Sequence, residues 1–133
     1  PPADHDDIVS FSRFRNPFNH MTVMFRKKAV INAGSYRQFP FLEDYDLWVR
    51  MLQNGAKAKN IVDPLVYVRV GNGMISRRGG YRYFRSQKAL LGEMKKIGYI
   101  SSFEYCRGIV GRGIAALVPT KIRSLIYKIF LRN

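Results

Sequence analysis

Three carboxylates lie within four positions of this chain, at Glu43, Asp44 and Asp46. The chain is otherwise basic, with 23 Lys and Arg against 9 Asp and Glu. Acids at a helix N-terminus are stabilised by free N–H groups and the helix dipole, so these three could simply cap a helix. Crowded carboxylates also disfavour each other's charge, which promotes uptake of a proton and suits a general base. Both interpretations remain open from the residues alone.

The apolar residues after the cluster recur at spacings of three and four, which predicts a helix over residues 43–54. Asp44 lies one turn before Trp48, on the inward side of that helix. Asp46 points about 200° away from Asp44 around the helix axis. We therefore expect Asp44 to face a cleft and Asp46 to be solvated.

Three other residues could bind a substrate. His20 follows a Pro-containing turn at the start of an apolar segment, and the alternative is a half-buried histidine with satisfied hydrogen bonds. Arg77 and Arg78 precede two glycines. Arginine binds phosphate with a planar fork, and glycine lets backbone N–H groups approach an anion. The alternative for the arginine pair is a solvated basic loop.

The elements that must position these residues are short. Apolar, β-branched segments predict strands at 20–25, 57–61 and 65–70. Helices are predicted over residues 4–11, 27–33, 43–54, 81–97, 101–117 and 121–131. The expected fold class is α/β, with a small mixed sheet flanked by helices and a helical C-terminal tail.

Composition limits the classes of function. No apolar run reaches the roughly 18–20 residues that span a bilayer. The single cysteine, Cys106, excludes an internal disulfide and fits a reducing compartment. The basic excess lies after residue 74, where thirteen Lys and Arg face two Glu. It predicts an anionic partner such as phosphate groups, nucleic acid or an acidic membrane surface. Residues 101–133 form basic amphipathic segments that could lie on a membrane or pack on the domain.

Several motifs resemble those of one enzyme family. Phe41-Leu42-Glu43-Asp44-Tyr45-Asp46-Leu47-Trp48, with Asn-Gly closing the helix, resembles the acceptor-side segment of inverting family 2 glycosyltransferases. Ala33-Gly34-Ser35-Tyr36 resembles the link that precedes it, and Leu65-Val66-Tyr67-Val68-Arg69 the strand that follows. Ile75-Ser76-Arg77-Arg78-Gly79-Gly80 resembles a basic segment of bacterial polysaccharide-building members. These motifs occur in the family's order, within residues 13–100.

The resemblance implies a direct displacement at the anomeric carbon of a nucleotide-activated sugar. Asp44 would deprotonate the acceptor hydroxyl and Glu43 would orient the acceptor or tune Asp44. Asn19 and His20 would line the sugar cleft, and the arginine pair 77–78 would close over the donor diphosphate. A divalent Mn or Mg would hold that diphosphate in the full-length enzyme. The Asp-x-Asp metal motif is expected elsewhere, because Asp4-His5-Asp6 lacks the preceding buried strand.

The resemblance further implies that residues 1–100 are the acceptor-side part of the enzyme, the C-terminal half of a GT-A fold. Residues 101–133 would be its basic helical tail. Without a nucleotide-binding half the chain alone would bind no metal and be inactive. The expected partners are a nucleotide-diphosphate sugar and a glycan or lipid-linked acceptor, at the cytoplasmic face of the membrane. The alternative is a basic module without catalysis that binds nucleic acid or a membrane surface.

Overall fold

The computed structural model describes residues 1–68 and 80–117, with side chains to residue 114. Over these residues the chain is helical. The elements are α1 (His5–Ser12), a 3₁₀ helix (His20–Thr22), α2 (Lys27–Asn32), α3 (Glu43–Gln53), α4 (Gly80–Lys96) and α5 (Ser102–Leu117). None of the helices in the described ranges is long and apolar enough to cross a membrane.

The prediction of a mixed sheet is wrong, because the described residues contain no strand. The segment 20–25 forms the 3₁₀ helix and then an extended stretch in which Met24 is 97% exposed. Residues 57–61 and 65–68 are irregular and mostly exposed. An apolar, β-branched pattern favours an extended backbone, but a strand also needs a neighbour to complete its hydrogen-bonded ladder. Positions 69–70 of the third predicted strand lie outside the described residues.

The predicted helices are confirmed where the structure describes them. Gly34, Gly55 and Gly98 follow α2, α3 and α4, each with a positive φ, as expected of helix-ending glycines. The start of α5 is set by a reciprocal cap. Ser101 Oγ accepts the Glu104 N–H at 3.2 Å, and Glu104 Oε2 accepts the Ser101 N–H at 2.7 Å. The helix predicted over 121–131 lies outside the described residues.

Helix α3 lies at the centre of the structure. One side of it joins a cluster with α1, α4 and the segment after α4, in which Ile8, Leu90, Leu91 and Met94 are almost fully buried. Its other side packs on α2 through Leu47 and Trp48. Burying a large apolar side chain contributes about 1.5–3 kcal/mol. Because α3 is held from both sides, its acidic first turn has a fixed position.

Candidate active site

A tight turn delivers the chain to the start of α3. The Leu42 N–H donates to Phe39 O at 3.1 Å, Pro40 occupies the second position, and Phe41 has a φ of +68°. This is the arrangement of a type II turn, whose third position normally carries Gly or Asn. A phenylalanine held there costs on the order of 1–3 kcal/mol. The Phe41 ring packs against Tyr83 of α4, with centroids 5.9 Å apart.

Both oxygens of the Asp44 carboxylate are held by hydrogen bonds. Asn16 Nδ2 donates to Oδ2 at 2.9 Å, and the Tyr45 N–H donates to Oδ1 at 2.7 Å. Asn16 is itself oriented, because its Oδ1 accepts the Phe18 N–H at 3.3 Å. Asp44 is half-buried, so one part of the carboxylate still faces solvent. The result is a carboxylate held in one orientation.

A tyrosine and a histidine lie beside the acids. His20 Nε2 and the Tyr36 hydroxyl are 3.0 Å apart, and the His20 ring also lies 6.1 Å from that of Trp48. Burial, and then the negative charges of Asp44 and Glu43, raise the pKa of Tyr36 above its ordinary value. The phenol therefore stays protonated at neutral pH and can donate a hydrogen bond. Through Tyr36, the structure associates His20 with the acidic turn.

The other predicted substrate-binding residues are not part of this arrangement. Asn19 is exposed and precedes the 3₁₀ helix, where its carbonyl accepts the Thr22 N–H at 2.9 Å. Arg77 and Arg78 lie outside the described residues.

Asp46 is buried, so the expectation that it is solvated is wrong. Its side chain is 3% exposed and forms salt bridges with Arg37 at 2.5 Å and Arg50 at 2.8 Å. Burial would raise its pKa, but hydrogen bonds from both guanidinium groups outweigh burial and lower the pKa of Asp46. The loop that follows α2 covers the side of α3 on which Asp46 lies. A helical wheel shows the direction of a side chain but not which segment packs over it.

Arg50 connects Asp46 to that covering loop. Its Nη1 donates to Ala33 O, and its Nη2 donates to Ser35 O at 2.7 Å. Ser35 has a φ of +56°, an uncommon conformation for a residue with a side chain. The same loop carries Tyr36 to the acidic turn. The buried ion pairs of Asp46 therefore help to position a residue beside Asp44.

Sequence reasoning did not identify Asn16, Tyr36, Arg37 and Arg50 as residues of this site. For Arg50 a signal existed, since Asp46 and Arg50 stand four positions apart on one helix. Asn16 is 28 positions from Asp44 and Arg37 is nine from Asp46. Those contacts depend on tertiary structure and leave no local pattern.

No group of three His, Cys, Asp or Glu side chains comes together in the parts of the chain that the structure describes. In the Asp4-His5-Asp6 segment, Asp4 is the N-cap residue of α1 and His5 Nδ1 accepts the Ala58 N–H at 3.3 Å. His5 thus has a structural role.

The curated proteins that are similar to this chain are named as glycosyltransferases. Their similarity supports the interpretation that this chain is part of a glycosyltransferase. The chain is 38% identical over 130 residues to the amylovoran biosynthesis glycosyltransferase AmsE of Erwinia amylovora, covering 96% of this chain and 48% of that protein. It is 35% identical over 128 residues to the UDP-Gal:alpha-D-GlcNAc-diphosphoundecaprenol beta-1,3-galactosyltransferase of Escherichia coli, covering 96% and 46%. An uncharacterized glycosyltransferase of Haemophilus influenzae is 37% identical over 132 residues, covering 99% and 49%.

The chain spans about half the length of the curated relatives it matches. No protein-family model matches the chain. No solved structure matches it either.

Proposed function

We propose that this chain is the acceptor-side portion of a bacterial glycosyltransferase that acts in polysaccharide synthesis. The enzyme transfers a sugar from a nucleotide-diphosphate donor to a glycan or lipid-linked acceptor. The observation that carries the proposal is 35–38% identity to named glycosyltransferases over nearly the whole chain. One of these relatives is named for a diphosphoundecaprenol-linked acceptor. The alternative of a basic module without catalysis gains no support from these relatives.

Asp44 is the general base in this proposal. An acceptor hydroxyl oxygen attacks the anomeric carbon and forms the new C–O bond. The bond from that carbon to the donor diphosphate breaks, and the nucleotide diphosphate leaves with the electron pair. The acceptor proton passes to Asp44. Attack opposite to the leaving group inverts the configuration at the anomeric carbon.

The neighbours of Asp44 support this role. Asn16 and the Tyr45 N–H each use one lone pair of the carboxylate and leave others for the acceptor proton. A base held in one orientation loses less entropy when the acceptor binds. Glu43 and the protonated Tyr36 orient the acceptor hydroxyl groups. The Mn or Mg expected in the full-length enzyme would be held by residues other than those described.

The test is sugar transfer by the full-length protein with Asp44→Asn. UDP-galactose and a diphosphate-lipid-linked GlcNAc are the first substrates to assay. Loss of the base lowers kcat by about 10²–10⁴-fold. Asp63→Asn is the matched control, because Asp63 is exposed. A wild-type kcat in the Asp44→Asn variant would contradict the assignment of Asp44 as the base. NMR of the product's anomeric proton tests the inversion.

A further inference from the structure

A second candidate site lies between the end of α1 and helix α5. It is a cavity of about 320 Å³ whose lining includes Arg13, Phe14, Arg107, Gly111 and Arg112. We call it the arginine groove. Three guanidinium groups around one cavity create a strongly positive site. Because the chain as a whole is basic, its other charged residues do not neutralise this positive charge.

The three arginines are only partly neutralised. Arg13 contacts Glu104 at 3.3 Å and is 44% exposed. Within the described ranges, Arg107 and Arg112 form no salt bridge with a carboxylate. Three positive charges therefore face a single negative one, that of Glu104. Such an imbalance is relieved by an anionic ligand.

The guanidinium groups are also held in position. Arg107 stacks over the Phe14 ring at 4.3 Å from its centroid. Arg112 donates to Phe14 O at 3.0 Å and to the side chain of Gln87. A guanidinium has five N–H donors, so Arg13, whose side chain bonds Glu104 in the described ranges, keeps most of its donors free for a ligand, whereas Arg112 also bonds the Tyr45 side chain. Planar, preoriented forks of this kind match the oxygens of phosphate groups.

Gly111 lines the groove. A Cβ built on Gly111 would meet nothing within 4 Å, so no packing contact requires a glycine there. Glycine is unfavourable inside a helix, and Gly111 stands in open space on the lining of the groove. Gly108 is different, since its Cβ would lie 3.0 Å from Leu91 Cδ1. Close packing thus explains the glycine at 108, whereas Gly111 has free space around it.

The groove is linked to the candidate active site through Tyr45. The Arg112 guanidinium lies 5.8 Å from the centre of the Tyr45 ring, and Tyr45 follows Asp44 in α3. We propose that the arginine groove binds the diphosphate group of a lipid-linked acceptor. This inference rests on the proposed function. The shared chemistry is a phosphate oxyanion, which free pyrophosphate and anionic membrane lipids also offer.

The first experiment measures binding of inorganic pyrophosphate to the whole chain by calorimetry. Arg107→Gln removes one exposed guanidinium, and its matched control is Arg82→Gln on the exposed surface of α4. Gly111→Leu fills the groove, and its control is Gly92→Leu, where a Cβ also meets nothing within 4 Å. We expect Arg107→Gln to weaken binding roughly tenfold and Gly111→Leu to abolish it, with both controls unchanged. Equal affinity in Arg107→Gln and Arg82→Gln would overturn the groove as the site.

The second experiment identifies the source of the phosphate groups. Phosphatidylcholine vesicles that contain farnesyl diphosphate present a lipid-linked diphosphate on a neutral surface. Phosphatidylglycerol vesicles present anionic headgroups without a diphosphate. We expect only the farnesyl diphosphate vesicles to lose binding in the two groove variants. Loss on phosphatidylglycerol vesicles as well, or on neither kind, would overturn the assignment to a lipid-linked diphosphate.

The two proposals, the arginine groove and the proposed function, can be refuted independently. Groove-dependent binding in a full-length protein that transfers no sugar would refute the proposed function alone. Sugar transfer together with pyrophosphate binding that ignores the groove variants would refute the groove alone.

Discussion

The guanidinium of Arg50 donates two hydrogen bonds to Asp46 Oδ2, from Nε at 3.0 Å and from Nη2 at 2.8 Å. The partners stand one helical turn apart, and the side chain of Arg50 is only 12% exposed. The same guanidinium also binds the loop that carries Tyr36. The ion pair therefore contributes to stability and to the position of that loop.

We expect Asp46→Ala to lower the free energy of unfolding by about 2–4 kcal/mol, because it leaves the nearly buried Arg50 without its carboxylate. The partly exposed Arg37 contributes less, since solvent screens its charge. Urea denaturation measures the change. Asp63→Ala removes an exposed carboxylate as the control, and an equal effect of the two substitutions would contradict a structural role for Asp46.

The stability should also depend on pH through Asp46. Its pKa in the folded chain lies below the ordinary value of 3.8. The unfolded state therefore binds the proton more readily, and stability falls as the pH drops. The contribution of Asp46 is fully present above about pH 4 and is lost as the pH falls through the lower, folded pKa. Asp46→Asn should make unfolding less dependent on pH below about 4, and an unchanged profile would argue against the assignment.

Asn16 is expected to act on catalysis by positioning Asp44. In the full-length protein, Asn16→Ala should lower kcat by about tenfold while KM changes little, because a freed carboxylate remains a base but is poorly oriented. Asn32→Ala is the control, as Asn32 is exposed on α2. Equal kcat values for the two variants would mean that the Asn16–Asp44 hydrogen bond has no part in catalysis.

The left-handed conformation of Phe41 gives a prediction about stability. Phe41→Gly and Phe41→Ala both lose the ring contact with Tyr83, but only alanine retains a Cβ at positive φ. We expect the glycine variant to be more stable than the alanine variant by about 1 kcal/mol. Thermal unfolding of the pair measures the difference. If alanine were the more stable of the two, the turn would not have the conformation described.

Substitutions on the exposed side of α5 can test whether this helix contacts a membrane. Phe103, Val110 and Ile114 are 75%, 62% and 62% exposed and recur on one side of the helix. Because apolar side chains enter the headgroup boundary, replacing all three by Ser should reduce sedimentation with anionic vesicles. Met24→Ser removes another highly exposed apolar side chain as the control. Undiminished sedimentation of the triple variant would exclude this side of α5 as the contact.

The sequence predicted the helices well because their signals are local. Apolar spacing identified α3, and the glycines at 55 and 98 marked the ends of α3 and α4. The strands were predicted wrongly over the residues that the structure describes, because an apolar, β-branched segment says nothing about whether a partner strand lies beside it. In the described residues the extended stretch near Asn60 instead binds the chain start, where the Asn60 N–H donates to Ala3 O at 2.9 Å.

The candidate site was predictable in part for the same reason. The acidic turn is a local cluster, so Glu43 and Asp44 could be selected by their spacing. The error about Asp46 arose because a helical wheel shows direction but not what covers each side. The roles of Asn16 and Tyr36 depend on contacts between distant segments, which a single sequence does not contain.

Trp48 is the only tryptophan of the chain. Its side chain is almost fully buried, packs edge-on against Phe18 and His20, and its Nε1 finds no acceptor among the described residues. The tryptophan fluorescence of the chain thus comes from one indole located against a proposed substrate-binding side chain. A sugar that displaces the His20 ring should change that emission. The unlabelled chain therefore carries its own optical reporter, which can follow acceptor binding without any turnover.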